Sequence, residues 1–263
     1  MSYIEINAIH KRRLGRDKDP RNTSDINRIS LWFRKITWLL LTSPGLRVMT
    51  KLIYPEKTIS HFKRHGTVAF TIDDGFCGVD NPGGCMVKDV RRLLKSFNAQ
   101  ATFFITGSHC QHTSKDDVDA LLADGHELAN HSMMDWPYTS YSETEFAIDL
   151  DTTENILSKY RTISCSWYRA PFGRINKVMQ KVLNDRKMHH VVCDAFANDT
   201  AIPDAYWISR YILKRVKTGS IILIHMPEKG VREWNLKAMR LTLNGLVNRN
   251  LQIVNLTELK NGF

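Results

Sequence analysis

Five short stretches of the chain hold residue types that do acid–base or metal chemistry. They are Asp73-Asp74-Gly75, Asn130-His131-Ser132 with Asp135 four residues beyond His131, Arg169-Ala170-Pro171-Phe172-Gly173, the pair Asp194 and Asp199, and Leu223-Ile224-His225. Carboxylates and imidazoles exchange protons near neutral pH and bind divalent cations. A guanidinium beside a carboxylate keeps it ionised. Taken singly, each stretch has an ordinary reading: Asp-Asp-Gly is a common turn, a lone His after a strand is more often a hydrogen-bonded structural residue, and Arg-x-Pro recurs in loops. Their succession changes the weight, because each follows a short run of strand character.

Those runs are 67–72, 101–106, 127–130, 166–169, 189–193, 220–225 and 251–255. The spans between them carry helical periodicity. Val87, Val90, Leu93, Leu94 and Phe97 share one face of 86–97, and further helices are expected over 142–160, 175–184, 206–217 and 234–248. Ser142 followed by Glu143 and Glu145 reads as a helix start. Seven strands alternating with helices predict a parallel sheet, and several strands are apolar nearly throughout, as burial on both faces requires. The class is α/β: one domain with an N-terminal helical extension. In a parallel barrel, functional groups gather at the C-terminal ends of the strands, and all five stretches fall there.

The chain has 263 residues, 43% hydrophobic and 24% charged, the balance of a globular protein. Its net charge of +10 is unevenly placed. Residues 1–64 carry fourteen Lys and Arg against five Asp and Glu, whereas 65–263 are balanced to within one charge. The excess is therefore an arm, with Lys11, Arg12, Arg13 and Arg16 at its centre, and not a nucleic-acid-reading surface. No transmembrane segment is expected, since a span needs about 20 apolar residues and 36–41 is stopped by Ser43-Pro44-Gly45. An amphipathic helix over 29–41 packs on the core or lies on a membrane surface. The first residues show no apolar export segment, which makes an intracellular location the default expectation. Five scattered cysteines do not make a disulfide scaffold, although Cys77 and Cys85, which bracket a Gly/Pro loop, could bridge.

The motifs in order resemble those of the polysaccharide deacetylases, also called carbohydrate esterase family 4 or the NodB homology domain. Thr71-Ile72-Asp73-Asp74-Gly75 looks like that family's T-F-D-D-G. His131-Ser132-Met133-Met134-Asp135 looks like its H-S/T-x-x-H with Asp in place of the second His. Arg169–Gly173 meets R-x-P-Y/F-G, and Leu223-Ile224-His225 meets L-x-H. Asp194–Asp199 stands for the Asp loop without its usual Trp, since Thr200 follows. The resemblance runs over about 65–260, leaving 1–64 as a basic, partly helical extension. It implies a distorted, incomplete (β/α)7 barrel.

It also implies removal of N-acetyl groups from N-acetylglucosamine-containing glycans of chitin type, with an N-acetylated oligo- or polysaccharide as the partner. Asp74, His131 and Asp135 then hold a divalent metal, Zn²⁺ first, with Co²⁺, Mn²⁺ or Fe²⁺ favoured by the harder ligand set. Asp73 becomes the general base and Arg169 its partner. The Phe172 N–H helps to bind the oxyanion, and His225 protonates the leaving amine. Asp199, or less readily Asp194, keeps His225 charged, and Leu223 lines an acetyl pocket. Trp136 either stacks on a sugar or packs as a lid, and Met226 opens a segment, with Glu228 and Lys229, at the site's edge.

Asp135 adds a negative charge where the family has an imidazole. His126 or His109 could complete the ligand set instead, or the site could be degraded to glycan binding without hydrolysis. Hydrolysis of a small cyclic imide or ureide on the same fold is a further alternative. His189-His190 reads as structural.

Overall fold

In the strand β1 (Thr67–Gly75) every residue after the first is buried, so this strand must lie at the centre of a sheet covered on both sides. The computed structural model describes residues 28–42, 45–161 and 163–262, and there β1 is flanked by parallel β2 (Ala101–Ile105) and β6 (Ile221–His225). Beyond β2 come β3 (Glu127–Asn130), β4 (Trp167–Tyr168) and β5 (His189–His190), all parallel. β7 (Gln252–Val254) pairs with the first residues of β1. The strand order is β5-β4-β3-β2-β1-β6, and the seven predicted strands are all present.

The sheet curls so that its two ends approach. Ala195, just past β5, bridges to Ile222 of β6, and residues 59–62 lace the remaining gap: Ile59 bridges to Val191 and His61 to Ser220, while the Phe62 N–H donates to the Gly219 carbonyl. Alternate residues of β1 and β6 then part company. Phe70, Ile72, Ile222 and Ile224 join the main apolar core, while Thr71 and Asp73 face Arg169 inside the curl.

Helices α1 (Arg28–Leu41) and α2 (Leu46–Ile53) precede the sheet. α3 (Val87–Ser96), α4 (Lys115–Ala123), α5 (Glu143–Leu157), α6 (Lys177–Asp185), α7 (Ala205–Arg215) and α8 (Trp234–Val247) follow successive strands, and α9 (Leu256–Asn261) ends the fold. α3 buries Val87, Val90, Leu93 and Leu94, most of the face its spacing predicts. Ser142 caps α5 with a reciprocal Glu145 bond, a full capping box. α2, α4 and α9 were not anticipated. Cys77 and Cys85 form a disulfide across the loop after β1. The basic cluster around Arg12 lies outside the described residues, and no described helix is long and apolar enough to cross a membrane.

Candidate active site

Parallel strands direct their carboxyl ends to one rim, and four rim loops contain a residue with left-handed backbone. These are Asp74 (φ 56°), Ser132 (φ 64°), Phe172 (φ 58°) and Asn198 (φ 51°). Such conformations cost a non-glycine residue about 1–3 kcal/mol and persist where the surroundings fix them. Here Asp74 is itself a side chain with chemistry, Ser132 and Asn198 adjoin His131 and Asp199, and Phe172 lies three residues past Arg169.

Asp73 is held from beneath. Arg169 Nη1 donates to Asp73 Oδ1 at 2.5 Å and to Thr71 Oγ1 at 2.8 Å. The same guanidinium donates to the Val191 carbonyl and lies 4.0 Å over the Phe104 ring, so its position is fixed from several sides. Both charges are buried, which makes the pair one unit, costly to split. Asp73 is directly opposite His225 in the β1–β6 register. His225 Nδ1 lies 2.8 Å from Asp199 Oδ1, while Asp199 Oδ2 accepts from the His225 N–H and from Asn235 Nδ2. Burial opposes a charge on His225, but Asp199 outweighs it and the ring is pushed up to about 9. Asp194 takes a different part: it accepts from Arg47, Ser220 and the Ile221 N–H, and so ties α2 to the sheet.

The sequence of 62–191 matches the profile of the polysaccharide deacetylase family. That stretch is a polysaccharide deacetylase domain. It is 28% identical over 160 residues to a peptidoglycan-N-acetylglucosamine deacetylase of Bacillus cereus, covering 60% of this chain and 71% of that one. It is 27% identical over 158 residues to the peptidoglycan-N-acetylmuramic acid deacetylase PdaC of Bacillus subtilis, a stretch that is 60% of this chain but 32% of the relative. Among solved structures, a peptidoglycan N-acetylglucosamine deacetylase superposes with a TM-score of 0.69 at 22% identity, covering 77% of this chain and 91% of that one. A family 4 pseudoenzyme from Bacillus anthracis superposes with a TM-score of 0.67 at 18% identity, over 77% and 68% of the two chains. These likenesses establish the incomplete (β/α) barrel.

The rim cluster continues on the other side of Asp73. His131 Nδ1 lies 2.7 Å from the Arg169 carbonyl, an acceptor only, so this nitrogen is the donor there and Nε2 is turned toward the Asp73 and Asp74 carboxylates. Nε2 stands 3.6 Å from Asp74 Oδ1. Asp74 Oδ2 accepts from Arg232 Nη1 at 2.7 Å, and Arg232 Nη2 lies 3.5 Å from Glu228. Burial alone would push the Asp74 carboxyl up; Arg232, His225 and His131 hold it well below the ordinary carboxylate range.

Asp135 accepts no hydrogen bond among the described residues, and burial together with the Asp74 charge pushes it up to about 6. Among the described residues no three His, Cys, Asp or Glu side chains stand close enough together to share a cation. Asp74 and His131 nevertheless form a two-donor pair of the right chemistry, with Asp135 the free carboxylate beside them. Of the alternatives, His109 bonds to the Asp74 carbonyl, whereas His126 accepts from the Ala101 N–H against Phe103, away from the rim.

Phe172 is half exposed on the Pro171–Gly173 turn, and its N–H has no acceptor among the described residues. Leu223, buried, lies two residues before His225 and so on the same face of β6. Two expectations need correction. Met226 is fully buried in the main core and not at the substrate edge. Trp136 is buried in a cluster with Tyr138, Tyr141 and Phe146, which makes it packing and not an open sugar platform. Glu228 likewise turns inward, to Arg232 and Asn81, and Lys229 alone of that segment's charges is exposed.

The sequence reading missed Arg232 and Asp149. Asp149, fully enclosed under the His131 loop, accepts from the Met133 N–H, and burial pushes it up to about 7. His190 is buried and bonded to Thr58, the structural part read for it.

Proposed function

We propose that this chain is a metal-dependent N-deacetylase of N-acetylglucosamine-containing glycan, peptidoglycan before chitin. The observation that carries this is Asp73, braced by Arg169 at 2.5 Å, set opposite His225, itself braced by Asp199 at 2.8 Å. A carboxylate fixed by a guanidinium and an imidazole held charged on one rim are the two proton-transfer groups that amide hydrolysis needs. The preference for peptidoglycan rests on the named relatives, which act on that polymer.

Asp74, His131 and Asp135 would hold the cation. When bound, it supplies Lewis acidity, polarising the acetyl carbonyl and lowering the pKa of a water molecule. Asp73 takes the proton from the water that attacks the carbonyl carbon. The Phe172 N–H donates to the oxygen as it gains charge. His225, with Nδ1 fixed on Asp199, gives its Nε2 proton to the nitrogen as the C–N bond breaks, releasing acetate and a free amine. Arg169 holds the Asp73 carboxylate in place through its Nη1 contact.

A silent glycan-binding part is less well supported, because Asp73, Arg169, His225 and Asp199 are all in place and a binding module needs none of that proton chemistry. The test is acetate release from peptidoglycan and from N-acetylglucosamine oligomers of graded length. Protein stripped of metal is resupplied with Zn²⁺, Co²⁺ or Mn²⁺, and Asp73→Asn serves as the control. Metal-dependent release lost in the variant supports the reading. Silence with every metal overturns it in favour of a small cyclic amide substrate or of binding alone.

A further inference from the structure

Helix α1 is packed with its polar side inward. Lys35 pairs with Asp204 at 2.6 Å, Arg34 donates to the Ala201 carbonyl, and Thr42 bonds the Tyr211 hydroxyl. Only Trp38 joins the rings of Phe196 and Tyr211 beneath it. The large apolar side chains point away from the domain. On α1, Trp32, Phe33, Leu40 and Leu41 are 57–70% exposed; on α2, Leu52 and Ile53 are 81% and 65% exposed. A stripe of this size on the outside of a protein marks an interaction surface.

The charge around the stripe says what it meets. Residues 28–55 contain Arg28, Arg34, Lys35, Arg47 and Lys51 and no Asp or Glu. Arg28 and Lys51 are exposed beside the stripe. Trp, Phe and Leu flanked by the exposed cations Arg28 and Lys51, with Lys35 and Arg47 paired to Asp204 and Asp194 of the domain, are the complement of an anionic lipid surface, where the rings enter the headgroup boundary and the two outer cations meet phosphates. A stripe that met another protein's core would not need its rim free of acids. At 14 residues α1 is about 21 Å long and lies on such a surface; it cannot cross it.

The stripe is also next to the rim. Trp38 stacks edge-on with Phe196 at 5.4 Å, and Phe196 lies 5.7 Å from the His225 ring. On the α2 side, a Cβ on Gly173 would come within 2.6 Å of the Tyr54 hydroxyl. We propose that α1 and α2 form a docking face for an anionic bilayer, which sets the mouth of the site beside the lipid surface. The proposal does not depend on which reaction the rim performs.

The test is co-sedimentation of the full chain with vesicles of phosphatidylcholine alone or mixed with phosphatidylglycerol, at low and high salt. Binding is expected only with phosphatidylglycerol, weaker at high salt, and reduced about tenfold or more by Trp32→Glu with Leu40→Glu. Leu52→Glu on the separate helix α2 should give the same direction. Thermal unfolding should be unchanged in all three, because these side chains touch little of the domain. Absence of binding, or binding untouched by well-folded variants, overturns the proposal. So does a wild-type dimer that these variants dissociate, since a second copy would then cover the face.

Discussion

Arg232 Nη1 donates to Asp74 Oδ2 at 2.7 Å, and each side chain is only 5% exposed. This contact occupies one oxygen of the carboxylate and turns the other toward His131 Nε2. It also supplies a positive charge at the side of the site where Asp135 brings a negative one. Arg232 also faces Glu228 at 3.5 Å, so its charge is shared between two buried carboxylates. Outer partners of this kind orient a ligand and tune its affinity for a cation.

Arg232→Met leaves Asp74 and Glu228 as buried carboxylates without their guanidinium. The expected cost is about 3–5 kcal/mol of stability in the presence of a chelator, read by urea unfolding. Much of it should return with excess zinc, which neutralises the same carboxylates. Equal stability of variant and wild type in chelator would show that the pair carries no net electrostatic weight.

Asp135→Ala should weaken zinc binding more than tenfold, since losing a ligand costs at least what losing an outer partner does, while Asp135→His should retain it. Isothermal titration of the stripped protein reads both. Unchanged affinity in Asp135→Ala would transfer the third donor to another residue such as His109, which bonds the Asp74 carbonyl.

Asp73→Asn should lower turnover by about 10²–10⁴-fold and also lower the unfolding midpoint, because Arg169 then stays buried without its counter-charge, although the amide oxygen can still accept from it. Acetate release and thermal unfolding are measured together. Retained turnover would remove Asp73 from the part of base.

The His225 ring is pushed up to about 9 in the folded chain against an ordinary 6.5. Its stabilising contact with Asp199 is therefore fully present below about pH 6.5 and lost as pH rises through 9. Turnover that needs the charged ring should fall over the same alkaline range. Asp199→Asn should bring that fall toward neutral pH. A pH profile of kcat compares the two, and coincident alkaline limbs would show that His225 is not the proton donor.

Reduction of the Cys77–Cys85 bond should cost about 2–4 kcal/mol by releasing the unfolded chain, and it should loosen the loop in which Asn81 reaches Glu228. Thermal unfolding with and without reductant, beside Cys77→Ser with Cys85→Ser, tests this. An unchanged midpoint in both would mean that the loop is held by its other contacts.

The strands were legible because burial on both faces writes itself as an apolar run, and Thr67–Gly75 is the clearest case. Short α4 was not, since its sequence KDDVDALLA buries only Val118 and Leu121 and shows little periodicity. α2 escaped for the opposite reason: its apolar residues face outward. Asp73, His131, Arg169 and His225 were legible because each lies at or next to the carboxyl end of a strand. Arg232 was not, because it sits in a turn seven residues past His225, where spacing carries no pattern. Asp149 looks like any surface carboxylate of an amphipathic helix until the His131 loop is laid over it. Met226 misled by its position: it follows His225 on the rim, but its side chain takes the alternate direction into the core.

The lacing at residues 59–62 bears on where the chain can be cut. Ile59 and His61 bond to opposite shores of the gap between β5 and β6, and the motif-bearing stretch begins only afterwards. A shortened chain that starts at residue 65 keeps every rim residue yet bares the His190 carbonyl, the Val192 N–H and the Gly219 carbonyl. Unpaired strand edges of that kind recruit one another, so the shortened protein should clump before it loses any of its chemistry.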